Sequence, residues 1–469
     1  MSPNTPPSST IQAESGSFRD RHGRVYYTPE GVVRGLSQKS LDDWRLLSKT
    51  KFFEKFSSAG SLVRTEEIPN PGLEDRWAAY LKHDRIPFIT YPYEWSFGML
   101  RDAALLQLRL TEAALQENLI LKDSTSYNIQ WMGTRPVFID IPSFEPYVPG
   151  SPWAGYLQFC KLFLYPLLLQ AHKDIPFHTW MRGNIDGIEP SECRRLFSAK
   201  DFMKPGVLMD VVMQAKLQDK YADSDKNIRS DIRKTGFNTG LILANVRRLQ
   251  GIVGKLQWKR AKSTWSDYAR VNSYTDADIE QKASIVRRHV QKKDRSLVWD
   301  LGCNTGRFSR IAAERAKVVV AMDSDHLAVE MLYRNGKSEK NTKILPLVMN
   351  LANTSPGLGW RGRERKPITD RGRPELILAL ALIHHMVISA NIPLAECIEW
   401  FASLGGDLVI EFVSKDDPMV KKLLRNKDDQ YSEYNRDFLE KELRRHYATV
   451  ECEHLGSGTR FLYFARQKG

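Results

Sequence analysis

The sequence predicts an α/β protein in which a C-terminal half built on parallel strands follows an N-terminal α+β domain. The first evidence is Leu297–Trp299, a short apolar run that ends at Asp300 in a glycine turn, after which Phe308–Ala316 has helical spacing. A second apolar run, Lys317–Met322, ends at Asp323. This order is typical of a βαβ crossover, whose two parallel strands lie side by side.

Further apolar runs extend the predicted sheet. Lys343–Met349, Leu376–Ile383 and Asp407–Phe412 are predicted strands, and the second is apolar at every position, as expected for a strand covered on both faces. Ala448–Glu453 and Thr459–Ala465, joined by a glycine-rich turn, predict a closing antiparallel hairpin. The sheet therefore combines parallel strands with one antiparallel edge.

Residues 17–218 are predicted to form the α+β domain. Its clearest element is Trp95–Gln116, where leucines and alanines recur among a few charged residues in the pattern of a buried helix. The dense charge of Lys220–Lys234 predicts a linker or an exposed helix, and Thr239–Trp258 predicts an amphipathic basic helix with a solvated face. Residues 219–275 are therefore assigned to a linker and helical lead-in, and residues 276–469 to the C-terminal domain.

Length and composition limit the class of protein. The chain of 469 residues with 42% hydrophobic content is long enough for two or three domains. Its five cysteines are never in Cys-x-x-Cys spacing, so the sequence indicates neither a disulfide framework nor a metal site. The formal charge of +13 favours acidic partners. A solvated basic surface, RNA binding and an anionic small molecule all remain open as its explanation.

No targeting or membrane segment is predicted. Residues Met1–Gly16 are rich in Ser, Pro and Thr, which predicts a disordered tail rather than a signal peptide. The most apolar run, Leu162–Leu169, is too short to span a bilayer. We therefore expect a cytoplasmic protein without a membrane partner.

The glycine turn after the first predicted strand indicates a ligand site. Gly302 and Gly306 permit positive φ and let a ligand approach the backbone closely. Asp323, at the tip of the second strand, is placed to accept hydrogen bonds from ribose hydroxyls. The turn lacks the Gly-x-Gly-x-x-Gly order of dinucleotide sites. Asp300 would repel a phosphate but can hold a cationic amino-acid group.

The run Val-Trp-Asp-Leu-Gly-Cys-Asn-Thr-Gly at Val298–Gly306 resembles motif I of the class I S-adenosylmethionine (SAM)-dependent methyltransferases. The resemblance covers the chain from residue 276 onward and implies a Rossmann-like, seven-stranded methyltransferase sheet with SAM as the cofactor. Asn350 stands where the family usually has an Asp that binds the adenine amino group, and its carbonyl oxygen can still accept that bond. The implied cofactor-binding residues are Asp300, Gly302, Cys303, Asn304, Gly306, Asp323 and Asn350. Tyr268 or Tyr274, just upstream, is expected to close the pocket by its position in the family.

His384 and His385 follow the predicted fourth strand and are the candidate catalytic residues. Ligand sites in such sheets lie beyond the carboxyl ends of the strands. Methyl transfer is a displacement at carbon that needs an aligned nucleophile, and an imidazole can take the proton of that nucleophile. Neighbouring residues of a strand point to opposite faces, so one histidine at most faces the methyl group. A histidine that only bonds the backbone is the alternative. Glu411, inside an apolar strand, is expected to be paired or to line the site.

Asp123, Asn128 and Asp140 resemble the catalytic loop and metal-binding aspartate of kinase-like folds, aminoglycoside phosphotransferases included. The resemblance implies that Asp123 accepts a hydroxyl proton and that the other two hold Mg²⁺. No His-Arg pattern precedes Asp123, no Phe-Gly follows Asp140, and no glycine-rich loop lies upstream. A hairpin with turn hydrogen bonds, a degenerate kinase-like module and an active phosphotransferase or nucleotide-binding module therefore remain open.

Three phrases, Tyr91–Ser96, Asp123–Asn128 and Leu380–Pro393, together resemble a set of bacterial methyltransferases, some of them nodulation-associated. This resemblance names no substrate. The sequence has no Asn-Pro-Pro-Tyr-type motif for planar amines and no recognisable RNA-binding module, so we expect the methyl acceptor to be an oxygen or nitrogen of a small molecule or a glycan rather than of RNA. The arginine-rich loop Ser355–Pro374 is predicted to be a lid over an anionic substrate or to be disordered. An RNA methyltransferase that uses this loop is one alternative function, and a protein that senses SAM without catalysis is another. The oligomeric state is left open.

Overall fold

The chain divides into two units. In the computed structural model, which describes residues 11–29, 31–73, 76–222, 238–260 and 275–468, the first unit contains residues 1–131, 136–259 and 357–365, and the second contains the remainder. Among the described residues, no helix combines the length and the apolar character needed to cross a membrane.

The first unit begins with an antiparallel sheet of five strands in the order β1-β2-β3-β5-β4. These strands are β1 (Gln12–Ala13), β2 (Gly23–Thr28), β3 (Gly31–Leu36), β4 (Thr65–Ile68) and β5 (Ala79–His83). Strand β1 pairs with β2 through Gln12 and Tyr27. The predicted disordered tail is therefore wrong for its last residues, because the backbone groups of β1 are used in the sheet. Residues 1–10 lie outside the described residues.

A long helix forms the centre of the first unit. Helix α3 spans Phe97–Gln116, as predicted within two residues, and the side chain of Ser96 accepts a hydrogen bond from the Met99 amide at its start. Its alanines and leucines are almost wholly buried. The other elements of the unit are helices α1 (Gln38–Leu47), α2 (Lys51–Ser58), α4 (Tyr156–Phe159), α5 (Tyr165–Lys173), α6 (His178–Gly183), α7 (Pro190–Arg195) and α8 (Met213–Ala222), and the short strands β6 (Leu119–Leu121), β7 (Ile129–Met132), β8 (Arg135–Phe138) and β9 (Phe144–Pro146).

Helix α9 (Thr239–Lys255) packs in the first unit rather than serving as a lead-in to the C-terminal domain. Arg247 donates to Glu112 of α3 over 2.7 Å, and Arg248 makes two hydrogen bonds to the fully buried Asp210. The predicted solvated face of this helix is therefore partly an ion-paired face. Most of the predicted charged linker, residues 223–237, lies outside the described residues.

The second unit contains a sheet of seven strands in the order β12-β11-β10-β13-β14-β16-β15. The strands are β10 (Arg295–Leu301), β11 (Ala316–Asp323), β12 (Ile344–Val348), β13 (Leu376–Ala379), β14 (Asp407–Val413), β15 (Tyr447–His454) and β16 (Arg460–Gln467). The first five are parallel, and β16 pairs antiparallel with both β14 and β15. The α/β class and the closing hairpin are confirmed.

Helices cover this sheet, and the strands other than β15 are largely buried because their side chains on both faces are mostly apolar, whereas the edge strand β15 is mostly exposed. The helices are α10 (Asp276–Gln291), α11 (Arg307–Ala312), α12 (His326–Ser338), α13 (Leu394–Leu404), α14 (Pro418–Leu424) and α15 (Arg436–His446). Val298 of β10, Val319 of β11 and Leu378 of β13 belong to one core cluster with Val286 of α10. The central strand β10 thus has its carboxyl end enclosed by neighbours on each side.

The predicted fourth strand is wrong beyond Ala379, where β13 ends. Ala381 has a positive φ of 51°, which breaks the strand, and His385–Ser389 then forms a short π-helix. A continuous apolar run fits a buried strand and a buried helix equally well, which explains the error. His384 and His385 are consequently in a helical segment and not at the tip of a strand.

Candidate functional site

A pocket of about 600 Å³ opens at the carboxyl ends of the parallel strands in the second unit. The turn after β10, the ends of β11 and β12, and the segment after β13 all contribute to its wall. Several of the sequence-predicted cofactor residues line it: Asp300, Gly302, Cys303, Asn304, Asp323 and Asn350. The volume lies in the range of small-molecule sites.

The glycine turn is fixed by hydrogen bonds to the neighbouring strand. The amides of Gly302 and Cys303 both donate to the carbonyl oxygen of Met322, over 2.8 and 3.0 Å. Gly302 has φ +77°, and it lines the pocket. The turn therefore brings bare backbone to the ligand space, as the sequence predicted.

Gly306 has the positive φ that the sequence predicted, but its closest neighbour is a packed side chain and not the pocket. It does not line the pocket, and a Cβ at this position would lie 2.4 Å from Cδ1 of Leu332 on α12. Its φ of +85° also favours glycine. Gly306 is therefore needed for close packing of the turn against α12.

Asp323 connects the glycine turn with the start of α12. Its Oδ2 accepts from the Asn304 amide over 2.7 Å, and its Oδ1 accepts from the Asp325 amide over 2.9 Å. Burial raises the pKa of Asp323, while these two hydrogen bonds act in the opposite direction. Each carboxylate oxygen has a second lone pair, so the group can also accept from a ligand hydroxyl.

Asp300 is 2% exposed at the end of β10. Ser309 of α11 donates to its Oδ2 over 2.6 Å. Burial raises the pKa of Asp300 to about 6, and the nearby Asp323 acts in the same direction. A desolvated carboxylate in a pocket wall is stabilised by any cation that enters, so the position favours a positively charged ligand group.

Two further predicted cofactor residues, Cys303 and Asn350, differ in exposure. Cys303 is buried, and burial holds the pKa of its thiol well above the ordinary value, so it is a neutral wall residue. Asn350 is exposed just after β12, and its Oδ1 accepts from the Ala352 amide over 3.0 Å. That bond fixes the direction of the carboxamide next to the pocket.

The two histidines separate into one pocket residue and one core residue. His385 lines the pocket, and burial lowers its pKa to about 4. His384 is fully buried, does not line the pocket, and has no hydrogen-bond partner at either ring nitrogen among the described residues. The assignment of His384 as a catalytic residue is therefore corrected, because the helical segment turns it into the core.

A buried ion-pair network beside the pocket was not predicted as a whole. Lys282 of α10 donates to Oε2 of Glu411, and Arg460 donates to Oε1 of the same carboxylate over 3.2 Å. Arg460 also binds Asp417 over 2.8 Å. The expectation that Glu411 is paired is confirmed. The signal for a partner was the acid inside an apolar strand, but nothing in the sequence singled out Lys282.

In the first unit, the structure brings together part of the kinase-like trio. Asn128 donates to Oδ2 of Asp140 over 3.3 Å, and Arg34 of β3 forms an ion pair with the other carboxylate oxygen. Burial would raise the pKa of Asp140, but Arg34 and Ser143 lower it overall. Burial and the charge of Asp140 raise the pKa of Asp123. Within the described residues, no group of three or more His, Cys, Asp or Glu side chains is arranged to hold a metal ion.

The long basic loop is divided between the two units. All of Ser355–Pro374 is described, and none of its residues is among those that line the pocket. Residues 357–365 belong to the first unit, where Glu364 pairs with Arg19 and the Arg365 guanidinium lies 4.1 Å from the ring centre of Tyr127. The two tyrosines expected to close the pocket, Tyr268 and Tyr274, lie outside the described residues.

Comparison with known proteins gives one relative along nearly the whole chain. The nodulation protein NoeA of Rhizobium meliloti (strain 1021) is 34% identical over 457 residues, which are 96% of this chain and 95% of that protein. No family model matches the chain. The expected resemblance to nodulation-associated bacterial proteins is confirmed.

Three of the solved structures to which the chain is similar are distant likenesses. The N-methyltransferase NodS from Bradyrhizobium japonicum WM9 matches 41% of this chain and 98% of its own, at 10% identity and a TM-score of 0.31. A SAM-dependent methyltransferase from Aquifex aeolicus matches 44% and 100%, at 15% identity and a TM-score of 0.30. The bifunctional kinase-methyltransferase WbdD matches 44% and 42%, at 14% identity and a TM-score of 0.30. Scores this low carry no assignment.

Proposed function

The chain belongs to the NoeA family of nodulation proteins, and from that premise we propose that it is a SAM-dependent methyltransferase acting on an oxygen or nitrogen of a small-molecule or glycan acceptor. One observation carries the proposal. Asp300 and Asp323 lie at the carboxyl ends of adjacent parallel strands, and both line one pocket beside a glycine turn. Two carboxylates in that position suit a ligand with a cationic amino-acid end and a ribose, and they repel phosphate.

The residues present fit SAM part by part. Asp323 accepts from the ribose hydroxyls, Asn350 accepts from the adenine amino group, and Asp300 holds the ammonium of the amino-acid end. Gly302 gives the ligand access to backbone, since the nearest atom to a Cβ there would be Leu382 Cδ1 at 3.4 Å, an ordinary contact distance. SAM supplies an electrophilic methyl group when bound. The protein supplies position and the exclusion of water.

His385 is the candidate catalytic residue that acts on the methyl acceptor. It lines the pocket with Met386 and Ser389 of the same π-helix. Because its pKa is about 4, the ring is neutral at neutral pH and can accept a hydrogen bond from the acceptor's hydroxyl or amine. Such a ring is a weak base, but the nucleophile's proton becomes strongly acidic as the new bond forms, so the ring can align the nucleophile and then take that proton.

Isothermal titration calorimetry with S-adenosylhomocysteine (SAH) tests the proposal directly. We expect one site per chain, with binding weakened by Asp323→Asn and unchanged by Asp294→Asn, which alters an exposed ion pair with Arg315. The acceptor is then sought with radiolabelled SAM against panels of sugars, amines and phenols, with bulk RNA as the alternative acceptor. Absence of any SAH or SAM binding would overturn the proposal.

Nucleotide binding by the first unit is a second candidate function, favoured by the hydrogen bond between Asn128 and Asp140. The ion pair between Arg34 and Asp140 argues against metal binding by that carboxylate, because it already neutralises the charge. A rise in melting temperature with ATP and Mg²⁺ that Asp140→Ala abolishes would support the candidate. The same melting temperature with and without ATP and Mg²⁺ would exclude it.

A further inference from the structure

A chain of four buried charges runs from the pocket wall into the second unit. Lys282, Glu411, Arg460 and Asp417 are 3%, 0%, 0% and 1% exposed, and they alternate in sign. Lys282 alone among them lines the pocket. Buried charges persist only where they are paired and hydrogen-bonded, and the position of Lys282 at the pocket end of the chain needs a reason.

Glu411 does not depend on Lys282 alone for its neutralisation. Arg460 donates to Oε1 of Glu411, whereas Lys282 donates to Oε2. An ammonium has three donors. Lys282 can therefore keep its bond to Glu411 and donate to a ligand in the pocket at the same time. The centre of the Phe308 ring lies 4.7 Å from Nζ of Lys282.

Lys282 and Asp300 are close enough to influence each other's ionisation. Burial lowers the pKa of Lys282 despite the charge of Glu411, and Asp300 acts to raise it. Both side chains line the same pocket. An α-amino acid carries its ammonium and its carboxylate on one carbon, so a site for such a group needs a carboxylate and a cation in the same pocket.

We propose that Lys282 binds the carboxylate of the cofactor's amino-acid end while Asp300 holds its ammonium, with Glu411 and Arg460 keeping Lys282 in position. The inference rests on the proposed function and assigns a binding role to a residue of α10. Glu411 and Arg460 are positioning residues, since neither lines the pocket.

Arg307 is the competing cation. It also lines the pocket, but it is exposed and pairs with Glu280, whose side chain is 72% exposed. Water and salt screen a pair at such a rim, so its contribution to binding is small. Arg307→Met is therefore a matched control for Lys282→Met.

The test compares SAH with its decarboxylated analogue, S-adenosyl-3-thiopropylamine, which keeps the ammonium and lacks the carboxylate. Calorimetry of the full-length protein gives the ratio of the two dissociation constants. We expect the wild type to prefer SAH by about tenfold or more, as for a charge-assisted hydrogen bond in a desolvated site. Lys282→Met should bring the ratio to about one, and Arg307→Met should leave it unchanged.

Binding of 5′-methylthioadenosine, which lacks the amino-acid end, reports on the adenosine side of the pocket and on folding. Its affinity should be the same in the wild type and in Lys282→Met. If Lys282→Met does not fold, the double variant Lys282→Met/Glu411→Gln restores the charge balance of the buried chain and decides the point. An SAH preference that survives loss of Lys282, or that disappears in Arg307→Met, overturns the inference. If the wild type binds neither SAH nor 5′-methylthioadenosine, the proposed function is overturned instead.

Discussion

The backbone amide of Asn304 donates to Oδ2 of Asp323 over 2.7 Å, and this bond joins the glycine turn after β10 to the end of β11. Asn304 has φ +49°, a value that asparagine tolerates better than most residues. The same carboxylate accepts from the Asp325 amide at the start of α12. One side chain thus sets the shape of the turn and also lines the pocket.

Asp323→Asn should weaken SAH binding by roughly tenfold to a hundredfold. The carboxamide has one oxygen, so it can accept from the amide of Asn304 or of Asp325 but not from both, and its NH₂ group would face the other donor. Calorimetry with SAH measures the loss. The exposed variant Asp294→Asn should bind like the wild type, and an Asp323→Asn affinity within about twofold of the wild type would contradict the role given to this carboxylate.

Asp300→Asn should stabilise the ligand-free protein at pH 7.5 while it weakens SAH binding. The pKa of Asp300 is raised from 3.8 to about 6, so the folded state binds this proton more tightly than the unfolded state. The free energy of unfolding therefore falls as the pH rises from about 4 to about 6, by about 3 kcal/mol for a shift of this size. The Asp300→Asn variant has no carboxyl to titrate, so its free energy of unfolding does not fall in this way. Its Oδ1 can still accept a hydrogen bond from Ser309.

Urea unfolding of both proteins between pH 4 and pH 7.5 measures this effect. The difference in unfolding free energy between Asp300→Asn and the wild type should shrink as the pH falls through 6 and should be small near pH 4. Parallel pH curves for the two proteins would show that Asp300 is not desolvated in the native state.

Sequence patterns predicted the position of the pocket because the evidence for it is local. Asp300 and Asp323 each end an apolar run, and strand ends of a βαβ unit meet at one edge of the sheet. Lys282 escaped prediction because a lysine in a helix of mixed charge is usually solvated. Its burial depends on Glu411, 129 residues later in the chain. Such long-range pairing leaves no periodic signal in the sequence.

The two adjacent histidines show the same limit in another form. A strand was expected to place one of them in the pocket, and one of them is there, but through a π-helix that begins at His385. Apolar residues on all sides mark a segment as buried without distinguishing strand from helix. The strand ends and the helical segment follows because Ala381 has a positive φ. An alanine in the sequence does not predict a positive φ.

His384→Leu should leave SAH binding unchanged and should maintain or raise stability by about 1 kcal/mol at neutral pH. Neither ring nitrogen of His384 has a hydrogen-bond partner among the described residues, and burial holds its pKa well below 6.5. The wild type should therefore lose stability as the pH falls below about 6.5, because the His384 imidazole binds a proton in the unfolded state and does not bind one in the folded state. The variant should lose less.

Chemical unfolding at pH 7.5 and pH 5, with SAH calorimetry on the same samples, checks both parts of this expectation. The neighbouring variant His385→Leu is the comparison, since it changes the pocket wall. A fall in stability of His384→Leu by more than about 2 kcal/mol would mean that the imidazole makes a contact the core depends on.

Gly306→Ala should destabilise the second unit by about 3 kcal/mol without any direct effect of the new methyl group on the pocket. A positive φ of 85° costs an alanine about 1 kcal/mol, and the added Cβ would lie 2.4 Å from Cδ1 of Leu332, which is 2% exposed and cannot move into solvent. Gly458→Ala is the matched control, because Gly458 has φ +72° with no atom within 4 Å of the added Cβ. Gly458→Ala should lower the free energy of unfolding only by the backbone strain.

The double variant Gly306→Ala/Leu332→Ala separates the two contributions, since removal of the overlapping atoms makes the two changes non-additive. Equal unfolding free energies for Gly306→Ala and Gly458→Ala would contradict the packing role, and would return Gly306 to the ligand-binding role that its motif suggests.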